Sequence, residues 1–137
     1  MIEREGGLDG TGRRFAVVVS RFNEGVTELL AEGALAAFRA HGVADEALEL
    51  IRVPGAFELP GVAARLLERG DLDGIVALGC VIRGETPHFD YVAGEAARGL
   101  AELSRGAAIP VVFGVLTTET LEQAMVRAGA RSDDPAE

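Results

Sequence analysis

The sequence predicts an α/β fold in which helices cover both faces of a four-stranded parallel sheet. Two observations carry this prediction. Four short apolar runs alternate with four stretches whose apolar residues recur every three or four positions, and the first run, Phe15–Ser20, shows no polar alternation. Such runs are typical of parallel strands buried on both faces, and alternating strands and helices form βαβ units. We therefore expect a three-layer αβα sandwich of the flavodoxin-like type.

The apolar runs give the positions of the four predicted strands. The second run is the weakest, and the other three are rich in Val and Ile. We place the strands at Phe15–Ser20, Leu48–Val53, Gly74–Ile82 and Ile109–Leu116. Because ligands of such sheets bind outside the carboxyl ends of the strands, the residues that follow each strand are the candidates for a site.

Helical spacing of apolar residues places four helices after these strands. The first runs from Val26 to about His41, where Gly42 provides a C-terminal cap. The other predicted helices are Phe57–Arg69, Phe89–Ser104, and a short final helix with Thr118 as its N-cap and Arg127 at its end.

Length and composition indicate one domain over residues 1–137, with an N-terminal arm at residues 1–14. The hydrophobic share of 48% is enough for a sizeable core, and the net charge of −9 argues against a nucleic-acid surface. The N-terminus lacks the apolar stretch of a signal peptide, and no apolar run approaches the ~20 residues of a membrane span. We therefore expect a cytoplasmic protein with neither nucleic-acid nor membrane partners.

The composition also limits the chemistry. All 13 side chains counted as Lys or Arg are Arg, which excludes an enzyme lysine that forms a Schiff base and a P-loop lysine. The single cysteine, Cys80, permits no internal disulfide and is predicted to be a small buried core residue. With two His and no suitable carboxylate spacing, we expect no metal site. The G-x-G-x-x-G fingerprint and a Ser-His-Asp motif are absent too.

A Phe and an Asn follow the first strand, where the chain enters a helix. In a structural interpretation, Asn23 caps the helix and Phe22 packs over its first turn. In a functional interpretation, Phe22 is a flat platform for a ring and Asn23 is a polar contact to that ring. This segment leaves both interpretations open.

Two prolines, Pro54 and Pro60, bracket the turn after the second strand. Gly55 and Ala56 would let backbone groups approach a ligand closely. Glu58 stands in the first helical turn, where the macrodipole favours an acidic side chain. In a structural interpretation, Glu58 only stabilises the start of the helix. In a functional interpretation, Glu58 and the backbone of Gly55 and Ala56 form hydrogen bonds to a polyol.

A glycine-containing loop leads from the third strand into a helix. Free amides at a helix N-terminus form an anion site, so Gly84, Glu85 and Thr86 could cradle one phosphate. His88 lies beside that position, and imidazole is the side chain best suited to moving protons near pH 7. The structural alternative for His88 is a solvated surface histidine.

Four segments resemble, in this order and spacing, the signature blocks of the lumazine synthase family (the riboflavin synthase beta subunit family). The motif Gly84-Glu85-Thr86-Pro87-His88 is the strongest single element, and the resemblance covers the chain from about residue 15 to residue 129. The segments are Val19–Asn23, Pro54–Pro60, Gly79–Val92 and Pro110–Thr118.

The resemblance implies a reaction and a role for each site residue. The family condenses 5-amino-6-(D-ribitylamino)uracil with L-3,4-dihydroxy-2-butanone 4-phosphate to 6,7-dimethyl-8-ribityllumazine, phosphate and water, in riboflavin biosynthesis, with no cofactor or metal. Phe22 would stack on the pyrimidine, His88 would transfer protons, and Arg127 of a neighbouring subunit would bind phosphate with Gly84, Glu85 and Thr86. The ring and ribityl chain would be held by Asn23, Gly55, Ala56, Phe57, Glu58, Val81, Ile82 and a neighbour's Phe113.

Without the resemblance, Phe113 and Arg127 each have a structural explanation. Phe113 lies within the fourth strand and would belong to the core. Arg127 ends the final helix just before Gly129, where the helix dipole favours a positive charge.

A site completed by a neighbour requires an oligomer. The resemblance implies a homopentamer, in some members a 60-subunit capsid, and association with riboflavin synthase. The Ala-rich helix Phe89–Ser104 is the predicted pentamer interface. Its Gly94 and Gly99 weaken helix propensity by about 1 kcal/mol each, which close helix approach would explain.

The chain departs from the family pattern after Gly129. The family continues with a loop, often carrying a lysine, and a final helix, whereas residues 130–137 are polar and show no helical stripe. We therefore expect the C-terminal helix of the family to be missing after Gly129, either because the sequence is truncated or because this form lacks the helix. Its absence would leave the phosphate site to Arg127 and the loop. The short C-terminus keeps open a non-catalytic homologue that binds a flavin or lumazine.

Two further alternatives come from other classes. The archaeal type of riboflavin synthase looks like a relative of this family and is the nearest rival among enzymes. A flavodoxin-like signalling receiver is weaker, because a receiver needs clustered acids at the strand ends and Ser20-Arg21-Phe22 supplies none.

Overall fold

The computed structural model describes residues 1–129. The expectation of a missing C-terminal helix concerns residues 130–137, which lie outside the described residues. None of the described helices has the length and apolar character of a membrane span. The strands are β1 (Phe15–Ser20), β2 (Leu48–Val53), β3 (Gly74–Ile82) and β4 (Val111–Thr118), and the α-helices are α1 (Glu24–Ala40), α2 (Leu59–Arg69), α3 (His88–Gly106) and α4 (Leu121–Arg127).

All neighbouring strands are parallel, in the order β2-β1-β3-β4. Both faces of β1 are buried: Ala16 and Val18 pack in one core cluster with residues of α2 and α3, while Val17 and Val19 pack in another with residues of α1. On the α1 face, Ala124 of α4 joins a third cluster. The predicted three-layer sandwich around a four-stranded parallel sheet is therefore confirmed.

The first three strands have the predicted bounds, but β4 begins and ends two residues later than predicted. Pro110 has no N–H to donate, and its carbonyl accepts from the amide of Ile75 just before the strand pairing begins. At the other end, pairing with β3 continues to Thr118, which lies opposite Ile82. The strand therefore extends into the segment from which the sequence predicted a helix.

The beginnings of α2 and α4 also differ from the prediction. The residues Ala56–Glu58 form a 3₁₀ turn, so that α2 begins at Leu59. The N-cap of α4 is Thr120, not Thr118: the Thr120 hydroxyl accepts from the amide of Gln123 at 3.1 Å. Thr118 belongs to β4 and donates from Oγ1 to the carbonyl of Thr120.

Candidate active site

A cleft of about 690 Å³ opens at the carboxyl ends of β1, β2 and β3, beside the first turn of α3. This is the edge at which parallel α/β sheets bind ligands. The structure brings most of the predicted site residues together in this cleft. Its lining consists of Phe22, Asn23, Pro54, Gly55, Ala56, Phe57, Glu58, Cys80, Val81, Ile82, Gly84, Thr86, His88, Phe89 and Val92.

The loop from β1 to α1 presents the ring of Phe22 to the cleft. The amide of Phe22 donates to the carbonyl of Pro54 at 3.0 Å, which ties this loop to the end of β2. The Phe22 side chain is 72% exposed, so it does not pack over the first turn of α1. Of the two interpretations of Phe22, the one in which it packs over the first turn of α1 is therefore wrong, and the structure leaves an aromatic face open beside the sheet.

Asn23 stands at the N-cap position of α1, but its side chain makes no cap hydrogen bond. Its backbone is left-handed, with φ 64° and ψ 47°, whereas a side chain that caps a helix comes from an extended N-cap residue. The Asn23 amide group instead donates from Nδ2 to the carbonyl of Cys80 at 2.9 Å. This bond joins the β1 loop to β3 across the floor of the cleft, and the predicted capping role is wrong.

The turn after β2 is fixed by the carboxylate of Glu58. Its Oε1 accepts from the amide of Gly55 at 2.9 Å, as in a capping box. Ala56 is buried, and the ring of Phe57 is 57% exposed. Glu58 therefore has a structural role in this turn and also lines the cleft, which the sequence presented as alternatives.

The loop from β3 to α3 carries the predicted phosphate and proton-transfer residues. Val81 is buried, Ile82 is half-buried, and Gly84, Thr86 and His88 are exposed. His88 is the first residue of α3, after Pro87 at the N-cap position. Proline has no side-chain acceptor. The N-cap residue therefore does not compete with an anion for the free backbone amides at this end of the helix.

Three predicted site residues do not line the cleft. Glu85 is exposed on the loop and does not line the cleft. Phe113 lies in β4, opposite Ala77 in the strand register, and is 47% exposed, so it is not a core residue. Arg127 is exposed at the end of α4, where its guanidinium donates to the carbonyl of Gln123 at 3.4 Å.

The cleft also contains four residues that the sequence interpretation did not assign to it. Phe89 and Val92 stand on the apolar stripe of α3, and this spacing after His88 could have placed them there. Cys80 is buried as predicted, and burial raises the pKa of its thiol to about 11. Pro54 was predicted only as a stiffener of the turn.

The cleft contains an aromatic ring, a carboxylate and an imidazole, those of Phe22, Glu58 and His88. Within residues 1–129, no group of three or more His, Cys, Asp or Glu side chains is arranged to hold a metal ion. A second cleft, of about 490 Å³, lies at the opposite end of the sheet between the ends of α2 and α3. Apart from Glu102, its lining consists of apolar residues and glycine, so it offers little chemistry.

The chain matches known proteins over almost its whole length. The family model described as 6,7-dimethyl-8-ribityllumazine synthase matches residues 12–137. The chain belongs to the 6,7-dimethyl-8-ribityllumazine synthase family. The matched range includes every residue that lines the cleft, and it includes Phe113 and Arg127.

Relatives from three bacteria carry the name of this lumazine synthase family. The protein from Desulfatibacillum aliphaticivorans is 51% identical over 93% of this chain and 83% of its own length. The protein from Desulfosudis oleivorans is 50% identical over 91% of this chain and 80% of its own length. The protein from Chlorobium phaeobacteroides is 53% identical over 93% of this chain and 83% of its own length. Each is named 6,7-dimethyl-8-ribityllumazine synthase.

Proposed function

We propose that this chain, as a single domain, condenses 5-amino-6-(D-ribitylamino)uracil with L-3,4-dihydroxy-2-butanone 4-phosphate to 6,7-dimethyl-8-ribityllumazine, phosphate and water, in riboflavin biosynthesis. One observation carries this proposal. In a chain of this family, a single cleft gathers the open ring of Phe22, the polar turn at Glu58 and the histidine at the start of α3.

The reaction needs no nucleophile from the protein. The amine of the pyrimidine attacks the ketone of the second substrate, water leaves, and a Schiff base forms between the two substrates. Phosphate is then eliminated, and ring closure with loss of a second water gives the lumazine. A chain without lysine can therefore catalyse these steps, because its main contribution is to hold two substrates in register.

We assign the pyrimidine and its ribityl chain to the side of the cleft formed by the β1 and β2 loops. The exposed ring of Phe22 provides a stacking surface of the size of a pyrimidine. Oε1 of Glu58 is occupied by the amide of Gly55, so we assign its Oε2 to a ribityl hydroxyl. The remaining contacts come from Asn23, Ala56, Phe57, Val81 and Ile82.

We assign the phosphate to the loop that precedes α3. Gly84, Glu85 and Thr86 supply backbone amides, and the N-terminal end of a 19-residue helix favours an anion. His88 follows two residues after Thr86, within reach of a substrate held there. We assign to His88 the proton transfers that accompany phosphate loss and ring closure.

We assign Phe113 and Arg127 to the cleft of a neighbouring subunit. Both side chains are exposed, and neither lines the cleft of its own subunit. A neighbour that brings an arginine to the phosphate loop would add the positive charge that the loop lacks. We therefore propose a homopentamer. A 60-subunit capsid, association with riboflavin synthase and a cytoplasmic location stay predictions.

The non-catalytic alternative is not favoured. The match to the family extends through all the segments that form the cleft, and His88 is retained beside the predicted phosphate position. A protein that only binds a flavin or lumazine has no need of a proton-transfer group at that place.

The test is to incubate the purified protein with the two substrates and to measure lumazine and released phosphate together. We expect one phosphate per lumazine. A parallel sample with lumazine as the only substrate separates this activity from a riboflavin synthase, which would convert lumazine to riboflavin. Riboflavin in that sample, with no lumazine formed in the first, would contradict the proposal.

A further inference from the structure

Arg83 lies at the end of β3, immediately before the loop that carries the predicted phosphate residues. Its amide donates to the carbonyl of Thr118 at 2.9 Å, so its backbone is held by the last residue of β4. Its side chain does not line the cleft. It contacts residues of α3 and of the β4–α4 turn.

The guanidinium of Arg83 contacts three side chains at once. Its Nε lies 2.9 Å from Oε2 and 3.1 Å from Oε1 of Glu119, in the β4–α4 turn. Its Nη1 lies 3.7 Å from Oδ1 of Asp90. Its central carbon lies 4.5 Å from the centroid of the Phe89 ring, over the face of that ring.

Two of these contacts are with the residues that directly follow the proposed proton-transfer residue. Phe89 and Asp90 directly follow His88 in the first turn of α3, and Phe89 also lines the cleft. Arg83 follows the last residue of β3, and its side chain contacts the first turn of α3. It therefore joins the two ends of the Gly84–Pro87 segment. A planar, rigid guanidinium can satisfy a ring face and two carboxylates together, which the flexible ammonium of lysine does not do.

These contacts hold the loop in place more than they raise the free energy of unfolding. The side chains of Arg83, Glu119 and Asp90 are 43%, 62% and 64% exposed. Ion pairs at such exposure contribute little to the free energy of unfolding. An effect of Arg83 should therefore be found in the geometry of the loop, where small displacements of binding groups change rates strongly.

We propose that Arg83 is a positioning residue that fixes the Gly84–Thr86 loop and the first turn of α3 for the phosphate-bearing substrate. The proposal rests on the function proposed above. Arg83 is not itself the phosphate ligand, because its guanidinium is turned to Glu119 and Asp90 and both carboxylates already balance its charge.

The first test compares R83A and R83K with R105A as the control. Arg105 is an exposed arginine in the last turn of α3, so R105A removes an equal charge far from the loop. We expect R83A to raise the KM for the butanone phosphate about tenfold and to leave the KM for the pyrimidine within about twofold. R83K should restore only part of this loss, and R105A should behave as the wild type.

The second test separates positioning from direct phosphate binding. In E119Q the Arg83 guanidinium loses the nearer of its two charged partners and keeps Asp90. E122Q is the control because Glu122 is an exposed acid in the first turn of α4. If Arg83 is a positioning residue, E119Q raises the KM for the phosphate substrate. If E119Q lowers this KM, the released guanidinium binds phosphate directly and the proposal is overturned.

Binding of inorganic phosphate to each folded variant, followed by calorimetry, gives a readout that needs no turnover. We expect weaker binding in R83A and E119Q than in R105A and E122Q, with equal melting temperatures. Equal phosphate binding in all four variants, or an equal rise of both KM values in R83A, would overturn the proposal. A wild-type protein that binds phosphate but forms no lumazine would instead contradict the proposed function alone.

Discussion

Asn23 combines a left-handed backbone conformation with a side-chain hydrogen bond that joins the β1–α1 loop to strand β3. A left-handed conformation costs an ordinary L-residue about 1 kcal/mol or more, and Asn tolerates it better than most because its short polar side chain bonds locally. Here the side chain reaches β3 and donates a hydrogen bond to the carbonyl of Cys80. The conformation and the bond together set the direction in which Phe22 leaves the sheet.

The first prediction separates these two contributions. N23G keeps a residue that adopts positive φ and loses only the bond to Cys80, whereas N23A loses the bond and also strains the backbone. We expect N23A to have a free energy of unfolding about 1 kcal/mol lower than that of N23G. Denaturant titration at a fixed protein concentration measures the difference, and an N23A protein as stable as N23G would show that the strain is absent.

A second prediction at the residue scale concerns His88. Because the substrates react through their own amine and ketone, loss of the imidazole should slow proton transfer without abolishing turnover. We expect H88A to lower kcat by roughly tenfold to a hundredfold, at or below the lower end of general acid–base effects. Steady-state rates of lumazine formation measure this, with H41A as the control at an exposed histidine outside the cleft. An unchanged kcat would return His88 to the solvated surface histidine that the sequence also allowed.

Residue types and spacing predicted most of the cleft lining, but not the contacts within it. The order of strands and helices requires the residues after Ser20, Val53 and Ile82 to meet at one edge, so their proximity follows from topology alone. The bond from Asn23 to Cys80 joins residues 57 positions apart and depends on one left-handed residue. Local pattern carries no signal for such a bond, and the capping interpretation was wrong for this reason.

Among the elements, α2 and α3 approach closely at Gly99. A Cβ built on Gly99 would lie 2.8 Å from Cβ and Cγ of Pro60, in the first turn of α2. Pro60 is a rigid ring held by the helix start, so it cannot move aside easily. The sequence interpretation attributed this glycine to close helix approach, and the structure identifies α2 as the helix that approaches.

The third prediction uses the two glycines of α3 as a matched pair. G99A should destabilise the protein by roughly 1–3 kcal/mol, because the new methyl group overpacks the contact with Pro60. G94A meets nothing within 4 Å in the subunit and should stabilise it by about 0.5–1 kcal/mol, since Ala is the better helix former. Unfolding of both variants measures the difference, and a neutral G99A would show that α2 and α3 separate at little cost.

A fourth prediction concerns the ion pairs at the end of α2. Arg69 donates to the carboxylates of Glu49 in β2 and Asp71 in the following loop. The hydrogen bonds from Arg69 hold the pKa of each carboxyl below its ordinary value of 4.5 for Glu49 and 3.8 for Asp71. A depressed pKa in the folded state stabilises the protein above the ordinary value, and this contribution is lost as the pH falls through the depressed one.

We therefore expect R69A to melt below the wild type at neutral pH, and the difference in melting temperature to shrink as the pH falls below 4.5 and then 3.8. The effect should be small and should weaken at high salt, since all three side chains are partly exposed. Thermal melts across this pH range measure it, with R105A as the charge-matched control. A difference that stays constant with pH would mean that Arg69 acts only by packing.

Element bounds were predictable where the composition changes sharply. The strands β1, β2 and β3 end where apolar runs meet charged or turn-forming residues, and their bounds were predicted correctly. The boundary between β4 and α4 was not, because Thr117, Thr118 and Thr120 all suit both a strand and an N-cap. Only the pairing of β4 with β3 decides that Thr120 begins the helix.

At the scale of the whole molecule, we propose that a second subunit completes the site. A fifth prediction follows, because His88 and Arg127 of one proposed site come from different chains. H88A and R127A should each have low activity, and assemblies that contain both should regain activity at those interfaces where two intact residues meet. Unfolding and refolding the variants together, followed by a rate measurement, tests this against separately refolded controls. If mixing restores no activity, both residues serve the site of their own chain.

The central claim is that this cleft forms lumazine, and the initial rate of lumazine formation tests it most directly. The purified protein is mixed with the pyrimidine and the butanone phosphate, and the absorbance of the product is followed beside a sample without protein. We expect a rate well above the uncatalysed one, saturable in both substrates and reduced in H88A. Tight binding of the pyrimidine, with product formed only at the uncatalysed rate, would contradict it.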